Sequence, residues 1–256
     1  MAWSARQYTT FEDERTRPVR DLLAAVPAVS ARVAVDVGCG PGNSTEVLAA
    51  RFPGANIRGF DASSDMIDAA RRRLPHVQFD LLDVAEWSDP GPFDIILANA
   101  VFQWVPDHAG LLPSLTTKLS KGGSLAVQMP DNIEEPAHRL MREIASHGPW
   151  ARKLAAATGA RTSMAGADWY YRLLRGSCAR VDVWRTTYHH ALAGGPESVV
   201  EWFKGSGLRP FLAPLDDDER PAYLERYRVA LADAYPALAD GTVLLPFPRL
   251  FMVATR

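Results

Sequence analysis

The eight residues Val35-Asp36-Val37-Gly38-Cys39-Gly40-Pro41-Gly42 constrain the fold of this chain more than any other stretch. Ahead of the glycines runs Ala31-Arg32-Val33-Ala34-Val35-Asp36-Val37, short and rich in β-branched residues, which is the pattern of a buried parallel strand. Behind them comes Asn43-Ser44-Thr45-Glu46-Val47-Leu48-Ala49-Ala50-Arg51-Phe52, with polar residues first, apolar residues at helical spacing, and Pro53-Gly54 as a stop. A strand that passes through alternate glycines straight into a helix is the first half of a parallel α/β layer. Glycine at 38, 40 and 42 permits left-handed or crowded backbone, so a ligand can approach main-chain N–H groups more closely than a Cβ would allow.

Two ligand classes use such a turn, and spacing separates them. A dinucleotide fingerprint reads G-x-G-x-x-G and presents a helix N-terminus to a pyrophosphate. Here the spacing is G-x-G-x-G, preceded by Asp36. A carboxylate at that point repels a pyrophosphate but binds an ammonium group, directly or through water. Further strands repeat the theme of a polar residue at the C-terminal tip. Ile57-Arg58-Gly59-Phe60 leads to Asp61, placed to accept hydrogen bonds from both hydroxyls of a ribose. Val77-Gln78-Phe79-Asp80-Leu81-Leu82 leads to Asp83-Val84, placed for an adenine, and Phe93-Asp94-Ile95-Ile96-Leu97-Ala98-Asn99-Ala100 carries Asn99 at its end. Strands of one parallel sheet present such tips to one crevice.

Residues 36–42 with Asp61, Asp83 and Asn99 resemble the successive motifs of class I S-adenosylmethionine-dependent methyltransferases. The resemblance implies a Rossmann-like sheet of seven mostly parallel strands, helices on both faces, and a last strand inserted antiparallel. It places Asp36 and the glycine turn at the methionine end of S-adenosylmethionine, Asp61 at the ribose, Asp83 and Val84 at the adenine, and Met66 on the nucleoside. The candidate cofactor contacts are then Asp36, Gly38, Cys39, Gly40, Asn43, Asp61, Ala62, Met66, Asp83, Val84 and Asn99, with no metal. Taken singly these features have plainer readings, since a strand-end aspartate often only caps the next helix. Their ordered recurrence is what carries weight.

The rest of the chain completes such a sheet. Lys121-Gly122-Gly123 reads as a turn, and Ser124-Leu125-Ala126-Val127-Gln128-Met129 as a fifth strand. Residues 167–175 look helical, 180–190 alternate as a strand does, and 244–255 close the chain as the seventh strand. The whole is expected to be a single methyltransferase domain over 1–256, with a core of about 31–131, 166–192 and 243–256. The remainder, about 1–30, 132–165 and 193–242, exceeds what the sheet needs and is expected to form a helical cap.

A net charge of -2 gives no electrostatic case for nucleic acid, and the basic run Arg71-Arg72-Arg73 ends a helix, where cations offset the dipole. Cys39 and Cys178 are too few and too far apart for a disulfide framework or a metal site. With no signal-peptide pattern and no apolar stretch of membrane length, the expectation is a cytoplasmic protein without membrane partners, a monomer or weak homodimer.

Methyl transfer to a phenol or amine calls for a base, whereas a carboxylate acceptor is already ionised near neutral pH. No compelling His–carboxylate pair lies beside Asn99-Ala100-Val101-Phe102-Gln103-Trp104, although His108 is near, so Gln103, Trp104 and His108 are positioning candidates. Arginines beside aromatics recur later, in Trp184-Arg185-Thr186-Thr187-Tyr188, Leu208-Arg209-Pro210-Phe211 and Phe247-Pro248-Arg249-Leu250-Phe251. Guanidinium groups at an apolar edge bind carboxylates through paired hydrogen bonds, which suits a polycarboxylate. These segments, with Pro106-Asp107-His108 and Gln128-Met129-Pro130-Asp131-Asn132, are similar to the bacterial trans-aconitate 2-methyltransferases. That similarity implies methylation of a trans-aconitate carboxylate to a monomethyl ester, releasing S-adenosylhomocysteine.

Tyr8, Arg15, Arg185, Tyr188, Arg209 and Arg249 are the candidate substrate contacts. Strand arginines also serve simply to cover a sheet, Tyr8 and Phe11 could equally be packing residues, and Trp104 and Trp184 read as wall or core. His189-His190 reads as the polar end of a strand. Alternatives are a methyltransferase acting on a phenol, amine or fatty acid, a non-catalytic S-adenosylmethionine-binding protein, and a nicotinamide oxidoreductase.

Overall fold

The computed structural model describes residues 12–159 and 163–256. Tyr8 and Phe11 lie outside the described residues. Seven strands form one sheet: β1 (Val33–Val37), β2 (Asn56–Asp61), β3 (Gln78–Leu81), β4 (Phe93–Asn99), β5 (Leu119–Pro130), β6 (Arg180–Leu192) and β7 (Val243–Thr255). Their order is β3-β2-β1-β4-β5-β7-β6.

The central strands are apolar on both faces. Val35, Val37, Ile95, Ile96, Leu97 and Ala98 are all fully buried, as a parallel strand covered by helices on each side requires. β1 pairs in parallel with β2, Val37 beside Phe60, and with β4, Val37 beside Ala98. The C-terminal tips of these three strands therefore stand level. β1 and β4 are also where the strand order reverses, the place at which open α/β sheets leave a crevice.

The helices are α1 (Glu12–Ala24) ahead of β1, α2 (Asn43–Arg51), α3 (Ser64–Arg73) and α4 (His108–Thr117) between the first five strands, α5 (Pro136–His147), α6 (Ala151–Thr158) and α7 (Ala167–Arg175) after β5, and α8 (Pro196–Lys204), α9 (Arg209–Leu212) and α10 (Glu219–Ala234) after β6. α3 shows the local logic. Met66, Ile67 and Ala70 fall on one buried face, and Arg71, Arg72 and Arg73 close its last turn. Arg71 donates to the Phe79 carbonyl and Arg73 pairs with Glu46, so the basic run finds partners within the fold.

β5 corrects one expectation. Lys121, Gly122 and Gly123 lie inside the strand instead of forming a turn before it. Gly122 N–H donates to the Arg256 carbonyl at 2.8 Å and Arg256 N–H to that of Gly123 at 3.0 Å, while Asp131 N–H meets the Pro248 carbonyl at 2.9 Å. These pairs sum to a near-constant register, which is the mark of β7 running antiparallel to β5. Gly122 keeps a left-handed φ of +79°, and the pairing with β4 slips between Phe93–Leu119 and Ile95–Ser124, so the glycines sit in a bulge whose polar groups β7 takes up.

The chain divides into two compact units, one from the spans Met1–Met129, Ala165–Thr186 and Leu250–Arg256, the other from Pro130–Met164 and Thr187–Arg249. In the first, α1 packs on α2 and α4 on α7. In the second, tyrosines bolt α10 to α5: the Tyr223 and Tyr227 hydroxyls donate to the Met141 and Ala137 carbonyls at 2.9 and 3.1 Å, and Ala137 N–H donates to the Tyr235 hydroxyl at 3.0 Å. Among the described residues no helix is long and apolar enough to cross a membrane.

Candidate functional site

The turn after β1 is shaped by what presses on it. Gly38 holds φ at +65°, and a Cβ there would sit 2.4 Å from Val101 Cγ2. Glycine is thus required both by conformation and by the close approach of the loop that follows β4. Gly40 is different: a Cβ there would meet nothing within 4 Å, so this part of the turn faces open space. The Gly40 N–H donates to Asp61 Oδ2 at 3.0 Å, and the Ser63 N–H donates to Asp61 Oδ1 at 2.9 Å. One carboxylate thereby ties the glycine turn to the start of α3.

Around this junction lies a cavity of about 370 Å³. That is within the range of small-molecule sites, about 300–1,000 Å³. Four segments line it: Gly38, Cys39, Gly40, Pro41, Asn43 and Ser44 from the first, Phe60, Asp61, Ala62 and Met66 from the second, Leu82, Asp83 and Val84 from the third, and Asn99, Ala100, Val101, Trp104 and Val105 from the fourth. Ten of the eleven candidate cofactor contacts meet here: Gly38, Cys39, Gly40, Asn43, Asp61, Ala62, Met66, Asp83, Val84 and Asn99. Asp83 also caps the short turn at Val84–Glu86, its Oδ1 accepting from the Ala85 N–H at 2.9 Å.

Asp36 is the exception. It is fully buried beneath the turn and does not line the cavity. Its Oδ2 accepts from the Ser44 and Thr45 hydroxyls, both at 2.7 Å, so it anchors the first turn of α2. Burial pushes its carboxyl up to about 7, opposed by those two hydroxyls and reinforced by the charge of Asp61. Burial likewise raises Asp61, against the two backbone donors that lower it, with Asp83 adding to the rise, and burial raises the Cys39 thiol, helped by Asp36 and Asp61. Carboxylates crowded into a poorly solvated pocket are best satisfied by a cation.

Two polar atoms at the wall lack partners among the described residues: Asn43 Nδ2 and Asn99 Oδ1, both buried. Unsatisfied buried groups at a cavity wall are what a polar ligand would complete. With the open face at Gly40, the ribose-ready carboxylate at Asp61 and the negative surroundings, the residues present fit S-adenosylmethionine. Among the described residues no cluster of three or more His, Cys, Asp or Glu is placed to hold a metal.

The positioning candidates separate. Trp104 lines the cavity, whereas Gln103 and His108 stand behind it. Gln103 Nε2 donates to the Ala100 carbonyl at 2.6 Å. His108 is engaged at both ring nitrogens, Nε2 lying 2.8 Å from the Phe102 carbonyl and Nδ1 2.8 Å from the Tyr170 hydroxyl. The carbonyl can only accept, so Nε2 donates to it, while Nδ1 shares a hydrogen bond with the tyrosine hydroxyl.

The candidate substrate contacts are spread over both units. In the first, Arg15 is buried on α1 and Arg185 is exposed on β6. In the second, Tyr188 is buried, Arg209 half-buried at the start of α9, and Arg249 is 4% exposed with its guanidinium 4.7 Å from the Phe247 ring centre. Tyr8 lies outside the described residues. Trp184 stacks on Phe251 at 5.0 Å, a packing role. His190 corrects the reading of a polar strand end: it is buried and stacked on Trp202 at 4.5 Å, while His189 is exposed. The burial follows from the alternation of β6, which points 188, 190 and 192 inward.

Comparison with known proteins agrees with this geometry. A family model described as a methyltransferase domain matches residues 8–191. Among solved structures, the YcgJ protein of Bacillus subtilis has a TM-score of 0.58 at 11% identity, covering 94% of this chain and 98% of that one. Coclaurine N-methyltransferase, solved with N-methylheliamine and S-adenosylhomocysteine, has a TM-score of 0.54 at 15% identity over 95% of this chain and 73% of that one. Those likenesses establish the fold.

Sequence relatives are nearer. The trans-aconitate 2-methyltransferase of Methylobacterium nodulans is 57% identical over 254 residues, covering 99% of this chain and 98% of that protein. Those of Rhodopseudomonas palustris and Rhizobium meliloti are 52% and 51% identical, again over at least 99% of each chain. The chain is therefore a class I S-adenosylmethionine-dependent methyltransferase and belongs to the trans-aconitate 2-methyltransferase family.

Proposed function

We propose that this enzyme methylates a carboxylate of trans-aconitate, giving a monomethyl ester and S-adenosylhomocysteine. The observation that carries the reading is the charge inventory of the cavity. Its titratable lining residues, among those described, are Cys39, Asp61 and Asp83. All three stand on the glycine-turn and nucleoside sides. The wall of Asn99, Ala100, Val101, Trp104 and Val105 carries no base, and His108 behind it has both nitrogens engaged. An acceptor that arrives already ionised suits such a wall, and a carboxylate is that acceptor. Full-length relatives at 51–57% identity carrying the trans-aconitate name support the same choice.

The roles follow. Bound in the cavity, S-adenosylmethionine supplies an electrophilic methyl group. Asp61 takes the ribose hydroxyls, Asp83 and Val84 the adenine, Met66 packs on the nucleoside, and Asn43 and Asn99 offer their unpaired polar atoms. Asp36 acts from beneath the turn without direct contact, its ionised form favouring the ammonium end. Trp104 and Val105 exclude water from the acceptor. Within the unit that carries the cavity, Arg15 and Arg185 are the cationic candidates for the carboxylates of the acceptor. Two free buried cysteines, Cys39 and Cys178, support a reducing, cytoplasmic setting.

The test is incubation with S-adenosylmethionine and each of trans-aconitate, cis-aconitate, isocitrate and citrate, with products read by mass spectrometry. A methyl ester from trans-aconitate in clear preference to the others is expected. No methylated product from any of the four discards the substrate assignment.

A further inference from the structure

Ala100 holds φ at +57° and is the one non-glycine with positive φ among the described residues. L side chains adopt this conformation rarely, and it persists where the surroundings over-determine it. Both peptide groups of Ala100 are clamped. Its N–H donates to the Gln128 carbonyl at 2.8 Å, and its carbonyl accepts from Gln103 Nε2 at 2.6 Å. Next comes a short turn, Phe102–Trp104, in which Trp104 N–H returns to the Val101 carbonyl at 3.1 Å. His108 holds that turn from outside through the Phe102 carbonyl.

What the strained residue accomplishes is placement. Asn99, Ala100, Val101, Trp104 and Val105 become one continuous cavity wall, and Val101 is pressed so far forward that Gly38 has no room for a Cβ. Val101 thus sets this segment directly against the glycine turn, while Asp61, Met66, Asp83 and Val84 enter the lining from other segments. Displacement at a methyl group demands an aligned acceptor, and small errors of position cost large factors in rate.

We infer that Gln103 is a positioning residue for methyl transfer: its bond to the Ala100 carbonyl holds the left-handed turn and so fixes the wall of Asn99, Val101 and Trp104 against the glycine turn. Gln103 touches neither donor nor acceptor on this reading. It is 8% exposed and absent from the lining, so its influence passes through Ala100. The inference rests on the methyltransferase assignment, and on the trans-aconitate proposal only for the choice of assay.

Gln103→Leu removes the donor and Gln103→Met repeats the test with an unbranched side chain, each paired with Ala100→Gly, since glycine adopts positive φ without strain. With wild-type turnover of trans-aconitate as baseline, Gln103→Leu should lower kcat about 10- to 100-fold. Affinity for S-adenosylmethionine by calorimetry should change less than about threefold, because Asp61, Met66, Asp83 and Val84 lie on other segments and Asn99 is the one proposed donor contact of that wall. Ala100→Gly should restore a substantial part of the lost kcat in the double variant. Unchanged kcat in both single variants overturns the inference. So does a fall matched by equal loss of donor affinity, or a double variant no better than Gln103→Leu alone. A wild type inactive on trans-aconitate defeats the substrate proposal instead; the same variants are then compared on whichever acceptor is methylated.

Discussion

Replacing Asp36 with asparagine should make the protein more stable above neutral pH while weakening its grip on S-adenosylmethionine. The buried carboxyl is pushed from 3.8 up to about 7, burial being the main cause. That gap corresponds to about 4 kcal/mol of destabilisation once the group is forced to ionise. The sign follows from proton binding. A raised folded-state value means the native protein holds the proton more tightly, so the contribution of Asp36 is fully present below pH 3.8 and is lost as pH rises through about 7. Asparagine keeps an oxygen for Ser44 and Thr45 but introduces an amide N–H pair where Oδ1 has no partner. An unsatisfied buried donor costs about 1–3 kcal/mol, leaving a net gain of about 1–3 kcal/mol at pH 8. The assay is urea unfolding of both proteins, without ligand, from about pH 5 to 8. The stability difference should grow in the variant's favour by up to ~1.4 kcal/mol per pH unit and level off above neutrality. A difference that stays flat across the range would falsify the account of a raised, buried carboxyl. Calorimetry on the same samples should show donor affinity down about tenfold, because the charge beneath the turn has gone.

Asp61→Ala removes the acceptor of the Gly40 and Ser63 N–H groups as well as the proposed ribose contact, and should weaken S-adenosylmethionine binding by about 30-fold or more; unaltered affinity sinks that assignment. Gly38→Ala meets both an unfavourable φ and Val101 at 2.4 Å. It should cost about 2–4 kcal/mol, read as a melting temperature lower by about 5–15 °C, and an unchanged Tm would refute the close approach. His108→Gln should slow turnover about 3- to 10-fold while leaving the shape of the pH–rate profile intact, since neither ring nitrogen is available as a base. Loss of an acidic limb in that profile would identify His108 as the base after all.

The crevice was legible in the amino-acid order because each piece is a local signal. Strand, glycine turn and helix follow one another over 33–51, and the aspartates at 61 and 83 sit where their own strands end. Asp36 escaped that logic. A carboxylate before the turn looks available for a cation, but Ser44 and Thr45, eight and nine residues on, draw it inward, and only the folded path of α2 reveals this. Gly122 and Gly123 misled for a related reason: paired glycines signal a turn unless a strand more than 120 residues away claims their hydrogen bonds. Ala100 could be listed by position, yet nothing in its identity announces a left-handed backbone. The substrate arginines were legible as residue types beside aromatics, whereas Arg185 exposed and Arg249 buried is a distinction set by tertiary packing.

The place of β7 between β5 and β6 has a consequence for how the molecule is made. During translation the chain leaves the ribosome N-terminus first, so β1 to β4 and their crossover helices can assemble while synthesis continues. β6 emerges at residue 180 with no neighbour to pair with, and its sheet partner among the described strands, β7, begins only at Val243. Until that strand arrives, β5 and β6 each present an open edge, the condition that invites pairing with other chains. Ribosomal drop-off or a premature stop within the codons for β7 would therefore leave the whole lining of the donor cavity, residues 38–105, on a protein whose sheet cannot close.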